Sequence, residues 1–147
     1  MTHTALTALS PLDGRYASKV DDLRAHFSEF ALIRTRVRVE VEWLKTLAAA
    51  AEIAECPALS AASIAELNKI NEVFSLDDAA AIKAIELQTN HDVKAVEYWL
   101  KERCAHNSEV MRITEFIHFG CTSEDINNVA HALMLKNGMT SSLLPEL

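Results

Sequence analysis

Three observations predict an all-α fold. The 147 residues include only three glycines and three prolines, so turns are scarce and elements must be long. Alanine, leucine, glutamate and isoleucine dominate the chain, a mix that points to helix. Apolar residues then recur at threes and fours over long windows, the period of a helix with one buried face.

Residues 5–16 carry Ser10-Pro11 and Asp13-Gly14, both turn dipeptides, and are expected to form an irregular arm ending in Arg15 and Tyr16. Ser18 and Asp21 form an S-x-x-D start, which predicts a short helix to about His26. A long helix is expected from about Ser28 to Ala51, with Phe30, Ile33, Val37, Val41, Leu44 and Leu47 on its apolar face. Arg34 to Glu42 also alternates between polar and mostly apolar residues, a strand pattern. The helical period persists on both sides of it without a turn residue, so helix is preferred. Arg36–Glu40 and Arg38–Glu42 read as i,i+4 pairs on the solvated face of that helix.

Cys56-Pro57 interrupts the pattern, and Ala54 to Ser60 is too short a linker to divide domains. A third helix is expected from Ser63, boxed by Glu66, to about Glu72. A fourth starts at Ser75 with Asp78 and carries Ala79, Ile82 and Ile85. The next runs from about Asn90 to Cys104, with Val93, Val96 and Leu100 on one face and Thr89 with Asp92 as its capping box. After a loop at Ala105–Ser108 and a short segment to His118, Gly120 turns the chain. Thr122 with Asp125 then starts a helix whose apolar face is Ile126, Val129, Ala130 and Leu133. Asn137-Gly138 reads as its stop, and the chain ends inside an apolar pattern, an odd place for a natural terminus.

Half of the residues are hydrophobic and 24% are charged, the composition of a soluble globular chain long enough to bury roughly 70% of its unfolded surface. The formal charge of -7 argues against a nucleic-acid or membrane-surface role, since both require a positive footprint. Three widely spaced cysteines, Cys56, Cys104 and Cys121, fit a reduced cytoplasmic protein. The opening Met1-Thr2-His3 has no basic region leading into an apolar run, so no signal peptide is expected, and no stretch approaches a membrane span.

No metal or cofactor is expected. Glu115-x-x-His118 has the spacing of a di-iron ligand pair but lacks a second copy, and the cysteine and histidine spacings fit no zinc site. A hydrolase triad of Ser123, His91 and Asp125 has nothing in its spacing to support it. Three polar groups remain: Arg15-Tyr16, Asn90-His91-Asp92 and Thr122-Ser123. Each has a plain structural reading, as a solvated arginine beside an aromatic or as a helix cap. Each is also of the kind that holds anions or donates protons, the last two at helix N-termini, where free amides and the dipole favour negative charge. Together they fit a small multi-anionic molecule.

Three segments carry a resemblance: Ser10-Pro-Leu-Asp-Gly-Arg-Tyr16, Thr89-Asn-His-Asp-Val-Lys-Ala-Val-Glu-Tyr98 and Phe116-Ile-His-Phe-Gly-Cys-Thr-Ser-Glu-Asp-Ile-Asn-Asn128. In these the chain resembles the bacterial adenylosuccinate lyases of the fumarase/aspartase superfamily, over essentially its whole length. Members of that family are longer. The resemblance implies an N-terminal helical domain at 1–111 and the beginning of the central long-helix domain at 112–147.

It implies β-elimination of fumarate from adenylosuccinate and from the succinyl-carboxamide intermediate of purine synthesis. Arg15 and Tyr16 would bind the nucleotide at its phosphate. Asn90, His91 and Asp92 would form a second binding segment, with His91 orienting the substrate or assisting proton transfer. Thr122 and Ser123 would hold the succinyl carboxylates. The main acid and base would lie beyond residue 147, in a homotetramer assembled through the central helices, so the isolated chain is expected to be inactive. A non-catalytic helical module binding a nucleotide or a protein partner is the other reading.

Overall fold

The computed structural model describes residues 4–147, and the expectation about a signal peptide at Met1 to His3 falls on residues outside the described ones. Every regular element among the described residues is helical, as expected. The principal helices are α1 (Arg24–Phe27), α2 (Glu29–Ala49), α3 (Ala61–Glu72), α4 (Leu76–Thr89), α5 (Asp92–Arg103), α6 (Ser108–Arg112) and α7 (Ser123–Gly138). None is long and apolar enough to cross a membrane.

The strand alternative for 34–42 fails, since α2 runs unbroken through it. Ser28 caps α2 by accepting from the Ala31 amide at 3.2 Å. One side of α2 presents Ile33, Val37, Val41, Leu44 and Leu47 to the main core. There it meets Leu67 and Ile70 of α3, Ile82 of α4, and Val96, Trp99 and Leu100 of α5. Phe74 packs between Phe30, tilted against it, and Trp99, edge to face, with ring centroids 5.7 and 5.5 Å away. A fully buried leucine or valine of this core contributes roughly 1.5–3 kcal/mol. A smaller cluster of Val39, Val93, Ile126 and Ala130 joins α2, α5 and α7 on the other side. The two clusters make α2 the axis on which the remaining helices pack.

Several local expectations are corrected. The helix from Ser18 is instead two 3-10 turns, Ala17–Lys19 and Asp21–Leu23, leading into the short α1, with no side-chain cap at either turn. Ser60, not Ser63, caps α3, accepting from the Ser63 amide at 3.2 Å. Glu66 leaves the cap to bond Asn107 and His106. The α-helical pattern of α7 ends at Gly138 as expected, but the chain does not turn away there and continues helically through a π turn at Met139–Leu143. The missing side chain of Gly138 serves packing: a Cβ there would sit 2.5 Å from the Phe27 ring. The Ile126 face of α7 is half covered, with Ile126 and Ala130 buried and Val129 48% exposed.

The largest correction concerns α2. Arg36 and Glu40 are 5% and 0% exposed, so they form no pair on a solvated face. Arg36 bonds Asp92 and Asn127, Glu40 bonds His118, and Glu42 takes Lys45. At about 100° per residue, Arg36 and Glu40 fall between Val39 on one side and Val37 with Val41 on the other. A helix whose alternate valines are all buried leaves those two positions no solvent.

Candidate functional site

The junction between α4 and α5 is a single residue in the left-handed region. Asn90 has φ 51, caps the end of α4 and donates its amide to the Glu86 carbonyl at 2.8 Å. Asparagine is among the few residues that adopt this conformation readily. His91 is then the N-cap of α5: its Nδ1 accepts from the Lys94 amide at 3.2 Å. Thr89 does not box with Asp92 as expected. Its hydroxyl instead accepts from the His91 amide at 3.3 Å and donates to the His91 carbonyl at 3.2 Å.

The cap fixes the imidazole's chemistry. A neutral ring that accepts at Nδ1 carries its proton on Nε2. That nitrogen stands 3.5 Å from Ser123 Oγ, at the first residue of α7. His91 therefore presents an N–H donor toward Ser123 and not a base, which rules out the hydrolase arrangement. Asp125 is engaged elsewhere, accepting from the Thr122 amide at 2.7 Å and from its hydroxyl at 2.8 Å. These two bonds hold the Asp125 carboxyl below its ordinary value, and the expected Thr122–Asp125 cap is present.

Asn90, His91, Asp92 and Ser123 line one cavity of about 510 Å³, together with Lys83, Glu86 and Leu87 from the last turns of α4. The volume lies in the range of small-molecule sites. Lys83 is bonded to Glu86 at 2.8 Å and reaches Glu29 at 3.4 Å. The bond to Glu86 is the main cause that raises its ammonium pKa, so the cavity keeps a cation at its wall. The arrangement gathers a protonated imidazole nitrogen, a side-chain amide, a hydroxyl and an ammonium beside the starts of two helices, while the lining carboxylates Glu86 and Asp92 are paired with Lys83 and Arg36. It is built to donate hydrogen bonds, which suits carboxylate or phosphate oxygens.

Asp92 faces this cavity and also ties it down. Burial works to raise its carboxyl, but the Val93 amide at 2.8 Å and the Arg36 guanidinium outweigh burial and hold it below its ordinary 3.8. Arg15 and Tyr16 do not line the cavity. The Arg15 guanidinium lies over its own neighbour's ring, 4.6 Å from the Tyr16 centroid. Of the predicted segments, the structure thus brings together the second and third.

Sequence reasoning missed Lys83, Arg36 and Asn127, and placed Glu40 on the surface. Glu40 Oε1 is 2.7 Å from His118 Nδ1, and Trp43 Nε1 donates to the Phe119 carbonyl at 2.8 Å. Two bonds from α2 thereby fasten the turn before α7, where His118 and Gly120 have φ of 64 and 73. The bury-all-round pattern of Val37, Val39 and Val41 was the available signal. Among the described residues no cluster of histidine, cysteine and carboxylate side chains has the makings of a metal site.

A family model described as Lyase matches residues 14–147. The chain is 57% identical over 145 residues to an adenylosuccinate lyase of Escherichia coli (strain K12), covering 99% of this chain and 32% of that protein. It is 56% identical over 146 residues to one of Haemophilus influenzae, covering 99% of this chain and 32% of the relative. Against one of Buchnera aphidicola, from Acyrthosiphon pisum, identity is 46% over 145 residues, with 99% of this chain and 32% of the relative covered. The chain therefore spans about a third of the length of these curated relatives, 32% in each case. Because the family model spans all but the first residues, the chain belongs to the Lyase family.

Proposed function

We propose that this chain forms the N-terminal part of an adenylosuccinate lyase and supplies one wall of its active site. In that reaction a base removes the proton beside a succinyl carboxylate, the C–N bond breaks, and the departing nitrogen of AMP is protonated as fumarate leaves. The same elimination on the succinyl-carboxamide intermediate serves IMP synthesis. The observation that carries the reading is the cavity where His91 Nε2 and Ser123 Oγ meet at 3.5 Å between two helix N-termini.

Within it, Asn90, His91 and Asp92 bind and orient the substrate, and Ser123, with Thr122 next to it at the start of α7, holds the succinyl carboxylates. The Nε2–H of His91 suits an orienting or proton-donating role. Arg15 and Tyr16 hold the nucleotide phosphate from the arm. The reading divides the chain into a helical domain at 1–111 and the opening of a central domain at 112–147. The exposed Val129 and Leu135 of α7 would then meet further helices of a cytoplasmic homotetramer. The main acid and base lie outside residues 1–147, so the isolated chain binds but does not turn over.

Titration of the isotope-labelled chain with AMP, followed by NMR, tests the reading. Expected are amide shifts at His91, Lys94 and Ser123 and no fumarate release from adenylosuccinate. Shifts confined to other surfaces would contradict it, and a nucleotide-indifferent chain would favour the binding-module alternative with a protein partner.

A further inference from the structure

We propose that Arg36 is a positioning residue that sets the separation of His91 from Ser123 by donating from its Nη2 to Asp92 and from its Nε to Asn127. This rests on the cavity serving as the substrate site. Arg36 Nη2 donates to Asp92 Oδ2 at 2.6 Å, and Arg36 Nε donates to Asn127 Oδ1 at 2.9 Å. The arginine side chain is 6% exposed, so both bonds form largely out of water, where charge-assisted bonds are strong.

The three residues stand in a defined order. Asp92 is the first residue of α5 and follows His91; Asn127 lies one helical turn beyond Ser123 on α7. The helices α5 and α7 pack on α2 more than on each other. The angle between the two halves of the cavity is therefore referred through α2, and Arg36 is the polar joint on α2 that touches both. A planar fork with fixed donor directions suits that task; a lysine ammonium, with one nitrogen, cannot replace two separately placed donor nitrogens.

Val39, Val93, Ile126 and Ala130 also join these three helices. That apolar cluster holds them together without specifying rotation, because apolar contact is non-directional. It predicts that loss of the polar joint leaves the fold intact and loosens the cavity. The structural and positioning roles are thereby separable.

The test uses Asn127, which is only half-buried, so that removal of its side chain spares the buried charge. Asn127→Ala is compared with Asn127→Asp, which keeps an acceptor oxygen in place, and with Arg36→Lys. The readout is the nuclear Overhauser contact between the His91 ring and Ser123, with AMP affinity measured alongside. Asn127→Ala and Arg36→Lys are expected to lose the contact while the core resonances stay unchanged, and Asn127→Asp is expected to retain it. AMP affinity should fall about tenfold in the first two variants. Should Arg36→Lys fail to fold, the Asn127 pair still decides. A wild-type contact in Asn127→Ala would overturn the proposal. If the unmodified chain binds no AMP, the functional reading fails, and the His91–Ser123 contact continues to decide the positioning role by itself.

Discussion

Glu40 Oε1 lies 2.7 Å from His118 Nδ1, one helical turn along α2 from the arginine that holds Asp92, and the glutamate has no exposure to solvent. Its second oxygen, Oε2, is buried without a hydrogen-bond partner. Burial is the main cause that raises this carboxyl above its ordinary 4.5, against the lowering effect of His118. A carboxyl whose folded pKa is raised stabilises the fold fully below its unfolded value and loses that contribution as pH rises through the folded one. Glu40→Gln removes the titration. The deficit of Glu40→Gln relative to the unmodified chain should therefore shrink from about pH 5 to about pH 8 in urea denaturation. A deficit that grows over that range would show that the pair gains more from its charge than burial takes away.

On the acid side the sign reverses. Asp92 is held below its ordinary 3.8, because its bonds to Val93 and Arg36 outweigh burial. Such a carboxyl stabilises the fold above its unfolded value, and the contribution disappears as pH falls through the depressed folded value. Asp92→Asn should be less stable at neutral pH and show a flatter fall in melting temperature below about pH 4. Parallel pH profiles for the two chains would contradict the assignment.

His91 performs two jobs that substitution separates. Its Nδ1 caps α5, and its Nε2 faces Ser123. His91→Ala should cost about 1 kcal/mol through loss of the cap. His91→Asn restores a capping oxygen but not the reach of the ring, so stability should return while AMP binding stays lost. Equal stability of the two variants would show that the cap contributes nothing.

Gly138 offers a sign change. Placed mid-helix, glycine is about 1 kcal/mol less favourable than alanine. Yet a Cβ would meet Phe27 Cε2 and Cζ at 2.5 Å. Gly138→Ala should be destabilising when Phe27 is present and stabilising in a Phe27→Ala background. Additive effects across this double-mutant cycle would refute the packing explanation.

The thiols report burial. Burial is the main cause that pushes Cys104 up to about 11, and it also raises Cys56 and Cys121. Cys56 and Cys104 are buried, while Cys121 is partly accessible. A disulfide reagent should modify Cys121 alone in the folded chain, slowly, and reach the other two after denaturation. Rapid reaction of all three would contradict the core described above.

The caps show where sequence was a sufficient guide. Ser75-x-x-Asp78 and Thr122-x-x-Asp125 close as read, because every partner lies within one turn. Thr89-x-x-Asp92 has the same spelling and fails. Asn90 takes the left-handed region between the two residues, and Asp92 is drawn off by an arginine 56 positions earlier. Long-range partners of this kind leave no periodic trace. Glu40 and His118 are 78 positions apart, and only the burial of Val39 beside Val37 and Val41 hinted that α2 had no wet side at Arg36 and Glu40. The site's two halves were legible as motifs; Lys83, at the cavity wall, lies inside a regular helix, where an i,i+3 pair with Glu86 has the spelling of any surface pair.

The most direct measurement replaces the matching segment of the Escherichia coli relative, to which the chain is 57% identical over 145 residues, and assays fumarate release from adenylosuccinate. A folded chimaera should retain activity within about tenfold of its parent, and the same chimaera carrying His91→Asn should lose most of it. A folded but inactive chimaera, or one indifferent to His91→Asn, would contradict the claim that the cavity between α5 and α7 is half of a lyase active site.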